Sequence, residues 1–225
     1  MGVPLTFTPV WFSGYDIIFD IISLLVAVGI FYFSYRAWKV IGAKSYSIMF
    51  YSFAMIAFSF LIKIFANFAR YYSSVRAPME SVVTAVTSAS VVNVYLLGVF
   101  FYRAGFLFSL ALLFWLTLKT KDKRVLALLM MFAVISTELS FTYYSVFHMV
   151  AAAFLLFIFS FFQYNYAKKK SGPALQIMLA FFFILVSQAA FVFMILEPTL
   201  YALGMVAQLI GYGILLFNII SVFKR

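Results

Sequence analysis

Seven side chains are polar or ionisable where the surrounding sequence is apolar: Asp20, Lys63, Arg103, Glu138, His148, Gln188 and Gln208. Ionisable groups at membrane depth are expensive, so each is a candidate for function by default. Asp20 and Glu138 can neutralise Lys63 and Arg103, which leaves His148, Gln188 and Gln208 free to meet a small ligand. Plainer roles stand beside these. Lys63 can run its methylenes outward and keep its charge in water. Asp20, Glu138 and His148 can sit at headgroup level, and the two glutamines can hydrogen-bond neighbouring helices at about 1 kcal/mol each. Arg103 resists the plain reading best: ten residues into its helix, it lies about 15 Å deep at 1.5 Å per residue.

The same inventory argues against other chemistry. The chain has no cysteine, so thiolate metal sites and disulfides are absent. It has one histidine, where a haem in a helical bundle normally takes two axial imidazoles. No phosphate-binding loop, HExxH or Ser/His/Asp set occurs. Asp20 is the only aspartate well inside an apolar run, since Asp16 stands at the mouth of the same run, and a membrane aspartyl protease needs two on different helices. Neither an enzyme nor a cofactor is expected.

The elements that must hold these groups are helices in lipid. The chain has 225 residues, is 67% hydrophobic and 10% charged, and has a mean hydropathy of +1.11. A soluble domain is nearer half apolar. The apolar runs are continuous rather than alternating, which excludes a barrel. They predict seven spans, at about 15–39, 45–70, 93–118, 125–143, 145–166, 173–196 and 200–223. Residues 71–92 form the longest connection, an outer loop whose Val82–Val92 part suits a β-hairpin or a helical lid equally. The whole is a single transmembrane domain, an all-α seven-helix bundle. Trp11, Tyr71–Tyr72 and Tyr143–Tyr144 suit interface anchors, and Tyr51, Tyr95, Tyr102 and Tyr201 are available to line a pocket. Of the 16 Lys and Arg, 12 lie at alternating helix ends: Arg36, Lys39, Lys44, Lys119, Lys121, Lys123, Arg124, Lys168, Lys169, Lys170, Lys224 and Arg225. That pattern places the N-terminus outside and the C-terminus in the cytoplasm. It also accounts for the net charge of +10 without nucleic acid, and makes the lipid bilayer the first partner. The first fifteen residues lack a basic group and a small-residue cleavage site, which argues against a cleaved signal peptide. Met1-Gly2 with Thr6 fits the myristoylation pattern formally, but this end is expected outside the cytoplasm.

The chain also echoes itself. Phe31–Tyr35 with Lys44-Ser45 matches Phe157–Phe161 with Lys170-Ser171 at a spacing of 126 residues. Tyr95–Gly98 with Gly105-Phe106 matches Tyr201–Gly204 with Gly211-Tyr212 at a spacing of 106 residues. Three helices, one linker helix and three more give two parallel repeats.

Helix 7, Leu203-Gly204-Met205-Val206-Ala207-Gln208-Leu209-Ile210-Gly211-Tyr212-Gly213-Ile214-Leu215-Leu216, resembles the closing helix of the seven-helix sensory modules that precede histidine kinases and cyclase domains in prokaryotes. In those a Gln is followed by Gly, an aromatic residue and a leucine run. The resemblance implies a membrane receptor or sensor in a prokaryotic plasma membrane, with a small or lipid-like ligand in an outer-half pocket. The chain ends at Arg225, so such a sensor would signal through a separate cytoplasmic or membrane partner. The 3+1+3 arrangement also resembles the SWEET sugar transporters, which makes a small-solute transporter or channel the alternative, with a non-catalytic scaffold subunit as the third. No proline lies inside a span, unlike in that family. Covalent retinal is excluded in the last helix, which has no Lys or Arg before Lys224.

Overall fold

The computed structural model describes residues 9–12, 14–76, 84–120 and 122–223, with the side chains of 10, 69–93 and 222–223 left out. A short 3-10 turn, Val10–Phe12, precedes seven helices: α1 (Tyr15–Ile41), α2 (Lys44–Arg76), α3 (Thr84–Leu118), α4 (Lys123–Thr142), α5 (Tyr144–Lys169), α6 (Gly172–Phe193) and α7 (Thr199–Phe223). Each contains a stretch long and apolar enough to cross a membrane. The chain is an integral, multi-pass membrane protein, all-helical among the described residues.

Local chemistry sets the helix ends. Gly42 takes the left-handed conformation (φ 70°), and its N–H bonds the Trp38 carbonyl at 2.8 Å, which closes α1. Lys119 and Lys170 take the same conformation without being glycine, at φ 54° and 46°. Gly172-Pro173 then opens α6 rather than ending α5, because the proline's fixed φ and missing N–H suit a first turn. Asp122 caps α4 by accepting from the Arg124 N–H at 2.8 Å.

Several helix ends differ from the sequence reading. Residues 71–76 and 84–92 are helical, so most of the expected outer loop continues α2 and α3 and no β-hairpin forms over 84–92. The Val/Thr/Ser/Ala composition there is compatible with either state, and continuing two existing helices avoids a new nucleus. Residues 77–83, with Pro78 and Glu80, lie outside the described residues. Helix α6 stops at Phe193 instead of 196, where the Leu196 and Glu197 amides both turn back onto the Phe193 carbonyl ahead of Pro198.

Successive helices pack side by side within α1–α3 and within α5–α7; α1 then meets α7 and α3 meets α5. The six form a closed ring, while α4 packs outside it against α3 and α5. The continuous core runs through the ring, with Ile30, Phe60, Leu107, Leu155, Ala180 and Tyr212 at its centre. A smaller cluster built on Phe12, Phe191, Met194 and Tyr201 closes the end near the N-terminus.

Glycines let two seams close tightly. A Cβ on Gly98 would lie 2.7 Å from Ala66 Cβ, and one on Gly105 would strike Ser59 Oγ, so α3 rides directly on α2. On the other side a Cβ on Gly204 would lie 2.6 Å from the Phe191 ring, and one on Gly211 2.6 Å from Ile184 and 2.8 Å from the Ala180 carbonyl. Small residues at such contacts substitute close van der Waals packing for the hydrophobic driving force that lipid does not supply.

Candidate functional site

The seven candidate residues all lie toward one end of the bundle, the end opposite the basic turns around Lys44, Lys119, Lys123 and Lys168–Lys170. Antiparallel helices bring the first half of α1, the second half of α2, the end of α4 and the start of α5 to the same level.

Asp20 and Lys63 form the ion pair expected of them, with Lys63 Nζ 2.8 Å from Asp20 Oδ1. The carboxylate is fully buried and its other oxygen accepts from Asn67 Nδ2 at 3.5 Å. Lys63 Nζ also lies over the Tyr102 ring, 5.4 Å from its centroid. Lys63 therefore points at a partner inside the bundle; its side chain keeps 18% exposure, and no outward snorkel is needed to explain it.

The other expected pair does not form. Glu138 stands on the exposed face of α4, with no hydrogen bond or ion pair to another described residue. Arg103 turns instead to Ser140, two residues further along α4. Its Nη1 donates to the Ser140 carbonyl at 2.7 Å and to the hydroxyl at 2.9 Å. The rings of Phe141, Tyr144 and Phe147 surround the guanidinium at 5.8, 5.1 and 5.7 Å. The physical reason is the direction of the side chains. Ala133, Ser136, Thr137 and Ser140 form the buried stripe of α4, at the i, i+3, i+4, i+7 spacing of one face, and Glu138 lies off that stripe. This small-residue stripe is the signal the sequence offered for Ser140. Among the described residues, Arg103 is a nearly buried cation with no carboxylate in ion-pair reach.

His148 is buried on α5 against α6, with its ring 5.1 Å from that of Phe191. Its Nδ1 meets Gln188 Oε1 at 2.9 Å and its Nε2 meets the Tyr144 hydroxyl at 2.8 Å. With the amide oxygen as acceptor, Nδ1 carries the proton and Nε2 accepts from Tyr144. Both ring nitrogens are used, so His148 and Gln188 satisfy each other rather than reaching into open space. Gln208 is buried on α7, one turn before Tyr212. Tyr102 and Tyr201 join this region, the latter against Phe12 and Phe191 at 6.0 and 5.6 Å, while Tyr51 is exposed. No group of three or more His, Asp or Glu able to hold a metal occurs among the described residues.

A cavity of about 700 Å³ opens at the basic end of the ring, between α1, α2 and α3 on one side and α5, α6 and α7 on the other. None of the seven candidates lines it. Its mouth carries Lys119 and Lys169, and its wall includes Ser34, Phe53, Thr117 and Asn218. A layer of buried rings, Phe60, Phe106, Phe147 and Tyr212, separates it from the polar cluster; Phe60 stands at 90° to Tyr212 with centroids 5.9 Å apart. Asn218 is held by Gln176 Oε1 at 2.9 Å and the Pro173 carbonyl at 3.1 Å. The apolar sequence of the helix halves at this end gives no sign of a cavity, because an apolar wall reads the same whether it faces a neighbour or a void.

Comparison of the chain with protein-family models, with curated proteins and with solved structures finds no match.

Proposed function

We propose that the protein is a membrane receptor or sensor module. Two three-helix units, α1–α3 and α5–α7, shift between two packings in response to a small or lipid-like ligand, and a separate partner reads the shift at the basic end. The observation that carries this reading is where the polar bonds fall. Asp20–Lys63 joins α1 to α2, His148–Gln188 joins α5 to α6, and Asn218–Gln176 joins α7 to α6. Each of these three bonds joins helices of the same unit. The seam is aromatic instead: Phe60 on Tyr212, Tyr102 and Phe106 on Phe147, and the Arg103 guanidinium over Tyr144 and Phe147. Units bonded internally and joined by ring contacts can change their mutual packing without breaking the bonds named above. A ligand that prefers one packing then shifts the population.

An internal 3+1+3 repeat is part of the proposal, and the close contacts favour it. The glycine pairs Gly98/Gly204 and Gly105/Gly211 are 106 residues apart, and the residues they press on, Ala66/Phe191 and Ser59/Ile184, are 125 apart. The same spacings carry Lys63 onto Gln188 and Tyr102 onto Gln208, so polar groups occupy equivalent places in both units. The basic turns favour a cytoplasmic C-terminus, and the resemblance of helix 7 favours a prokaryotic plasma membrane.

One observation supports a carrier as the second reading: the cavity lies between the two units and opens at one end. Against it stands the ring layer of Phe60, Phe106, Phe147 and Tyr212, which offers no polar path from the cavity to the other end.

Paired spin labels test the reading. The chain has no native cysteine, so Val40→Cys with Lys168→Cys reports across the seam and Val40→Cys with Leu118→Cys reports within one unit. In bilayers of different lipid composition, the cross-seam pair should show two distance populations whose ratio changes, and the other pair one. A single unchanging cross-seam distance refutes the receptor and leaves a static scaffold. Solute accumulation in sealed vesicles would replace the receptor with a carrier.

A further inference from the structure

We infer that the cavity at the basic end is a binding site for a single-chain anionic amphiphile of the membrane, an acyl chain ending in a carboxylate. This deepens the receptor reading by naming its ligand class, although binding itself rests on the cavity alone. Four observations point to that chemistry.

The first is shape. The cavity runs from the helix ends at Lys119, Lys169 and Pro173 down to Phe53, Ile158, Phe181 and Leu215. Lys169 and Ile158 lie eleven residues apart on α5, about 16 Å along the axis, which is the length of a mid-length acyl chain rather than of a compact solute. Its volume of about 700 Å³ lies within the range of ligand pockets.

The second is the wall, which is mostly aliphatic and aromatic below the mouth, as an alkyl chain requires. The third is the charge at the rim. Lys119, just past the end of α3, and Lys169, on α5, come from different units, and no acidic residue lines the cavity. Lys119 Nζ lies 5.5 Å from the centroid of Phe161, itself a wall residue, so this cation is held over the opening. Two ammonium groups at the surface with apolar walls beneath complement a headgroup and a tail in that order.

The fourth is an orphan hydroxyl. Ser52, Ser59, Ser136 and Thr137 return their hydroxyls to the carbonyl four residues back, at 2.7 to 2.9 Å, as is usual in lipid. Ser34 does not. Ser34 is among the residues that line the cavity, and its Oγ is the one buried side-chain polar atom without a partner among the described residues. An unmet donor in the wall of a void has a use when a bound molecule supplies the acceptor. Ser34 stands about two turns in from the end of α1, so a carboxylate drawn part-way inside is within its compass while the lysines neutralise it.

Such a ligand would also touch both units at once, since the wall draws on all six ring helices. Occupancy would hold the basic ends of the units apart, which is how it would bias the two packings.

The test uses the full chain in phosphatidylcholine nanodiscs and tryptophan quenching by 9,10-dibromostearate, with dibromostearyl alcohol as the uncharged probe of equal chain. The Trp11→Phe/Trp38→Phe variant keeps Trp115 beside the wall residues Leu116 and Thr117. The Trp38→Phe/Trp115→Phe variant keeps Trp11 at the opposite end and reports membrane partitioning. The site predicts saturable quenching of Trp115 by the acid, displaced by unbrominated stearate, with non-saturating quenching of Trp11. Lys119→Gln/Lys169→Gln should raise the half-saturating concentration about tenfold or more, the scale of a lost charge-assisted contact. Ser34→Ala should raise it about fivefold with unfolding unaltered, since that hydroxyl has no partner to lose. Equal saturation by acid and alcohol overturns the proposal, as does an unchanged midpoint in the double lysine variant. Displacement by millimolar inorganic phosphate would also overturn it, by marking a free-anion site instead of a lipid one. Saturable binding that leaves the cross-seam label distances unmoved would keep the site and remove the receptor; mobile distances without binding would do the reverse.

Discussion

Removing the Lys63 ammonium while leaving Asp20 in place is the sharpest perturbation the fold allows. Asp20 is fully buried, and its oxygens have two described side-chain partners, Lys63 at 2.8 Å and the weaker Asn67 contact at 3.5 Å. Lys63→Met keeps most of the side-chain volume and deletes the charge. It leaves a carboxylate in a low-dielectric interior with one long hydrogen bond, so the expected cost is that of breaking a buried pair, about 3–5 kcal/mol. Asp20→Leu with Lys63→Met removes both charges and leaves no polar group stranded except the Asn67 amide. That double variant is expected within about 1 kcal/mol of the wild type, because replacing a buried pair by apolar residues is commonly neutral or better. The coupling between the sites is then several kcal/mol and appears only in the cycle of both single variants and the double. Reversible unfolding in mixed micelles with rising dodecyl sulfate, followed by tryptophan fluorescence, gives the four free energies. A cost below about 1 kcal/mol for Lys63→Met, or a double variant as damaged as the single, would refute the reasoning: Lys63 would then hold its charge in water and Asp20 would be neutral without help.

Arg103→Ala deletes two contacts to Ser140 and three ring contacts, and should cost about 2–3 kcal/mol while loosening α4 from the ring; modification of a cysteine placed at Ser140 should speed up, and an unchanged rate would mean that α4 is held by packing alone. Glu138→Gln should be silent within about 0.5 kcal/mol in the same unfolding assay, because nothing described bonds to it. Gly211→Ala should destabilise by more than about 1 kcal/mol, since its Cβ meets backbone and Ile184 below 3.0 Å, whereas Gly213→Ala meets nothing within 4 Å and should be neutral or stabilising; similar effects at both positions would sink the tight α6/α7 seam.

What could be read ahead of the coordinates was governed by one-dimensional signals. Seven long apolar runs are such a signal, and so is a charge placed inside one, which is why Asp20, Lys63, Arg103 and His148 were identifiable. Pairing is a three-dimensional property. Asp20 and Lys63 met as expected because each is the only charged group at its depth on adjacent helices. Glu138 does not reach Arg103, because a charge is visible in the chain while the rotation of α4 that turns it outward is not. The helical phase was in fact present in the sequence, in the small residues at 133, 136, 137 and 140, but a carboxylate two residues from the right position outweighed it. The extension of α2 and α3 past 70 and before 93 was illegible for another reason: Val, Thr, Ser and Ala sit near the middle of both propensity scales. The void at the basic end was the least legible of all, since its wall is assembled from residues of six helices that lie far apart in the chain.

The position of α4 has a consequence for how this architecture can change. A trio of crossings ends on the membrane side opposite to its start, so a second trio pointing the same way cannot follow without one return stroke. That stroke needs reach and greasiness and little else, and Leu128, Met131, Phe132, Ile135 and Leu139 already look out into lipid. Apart from the Ser140 anchor and its neighbouring stripe, α4 is therefore the stretch freest to drift in sequence, or to be swapped for an unrelated hydrophobic crossing, while the six-membered circle it serves stays closed.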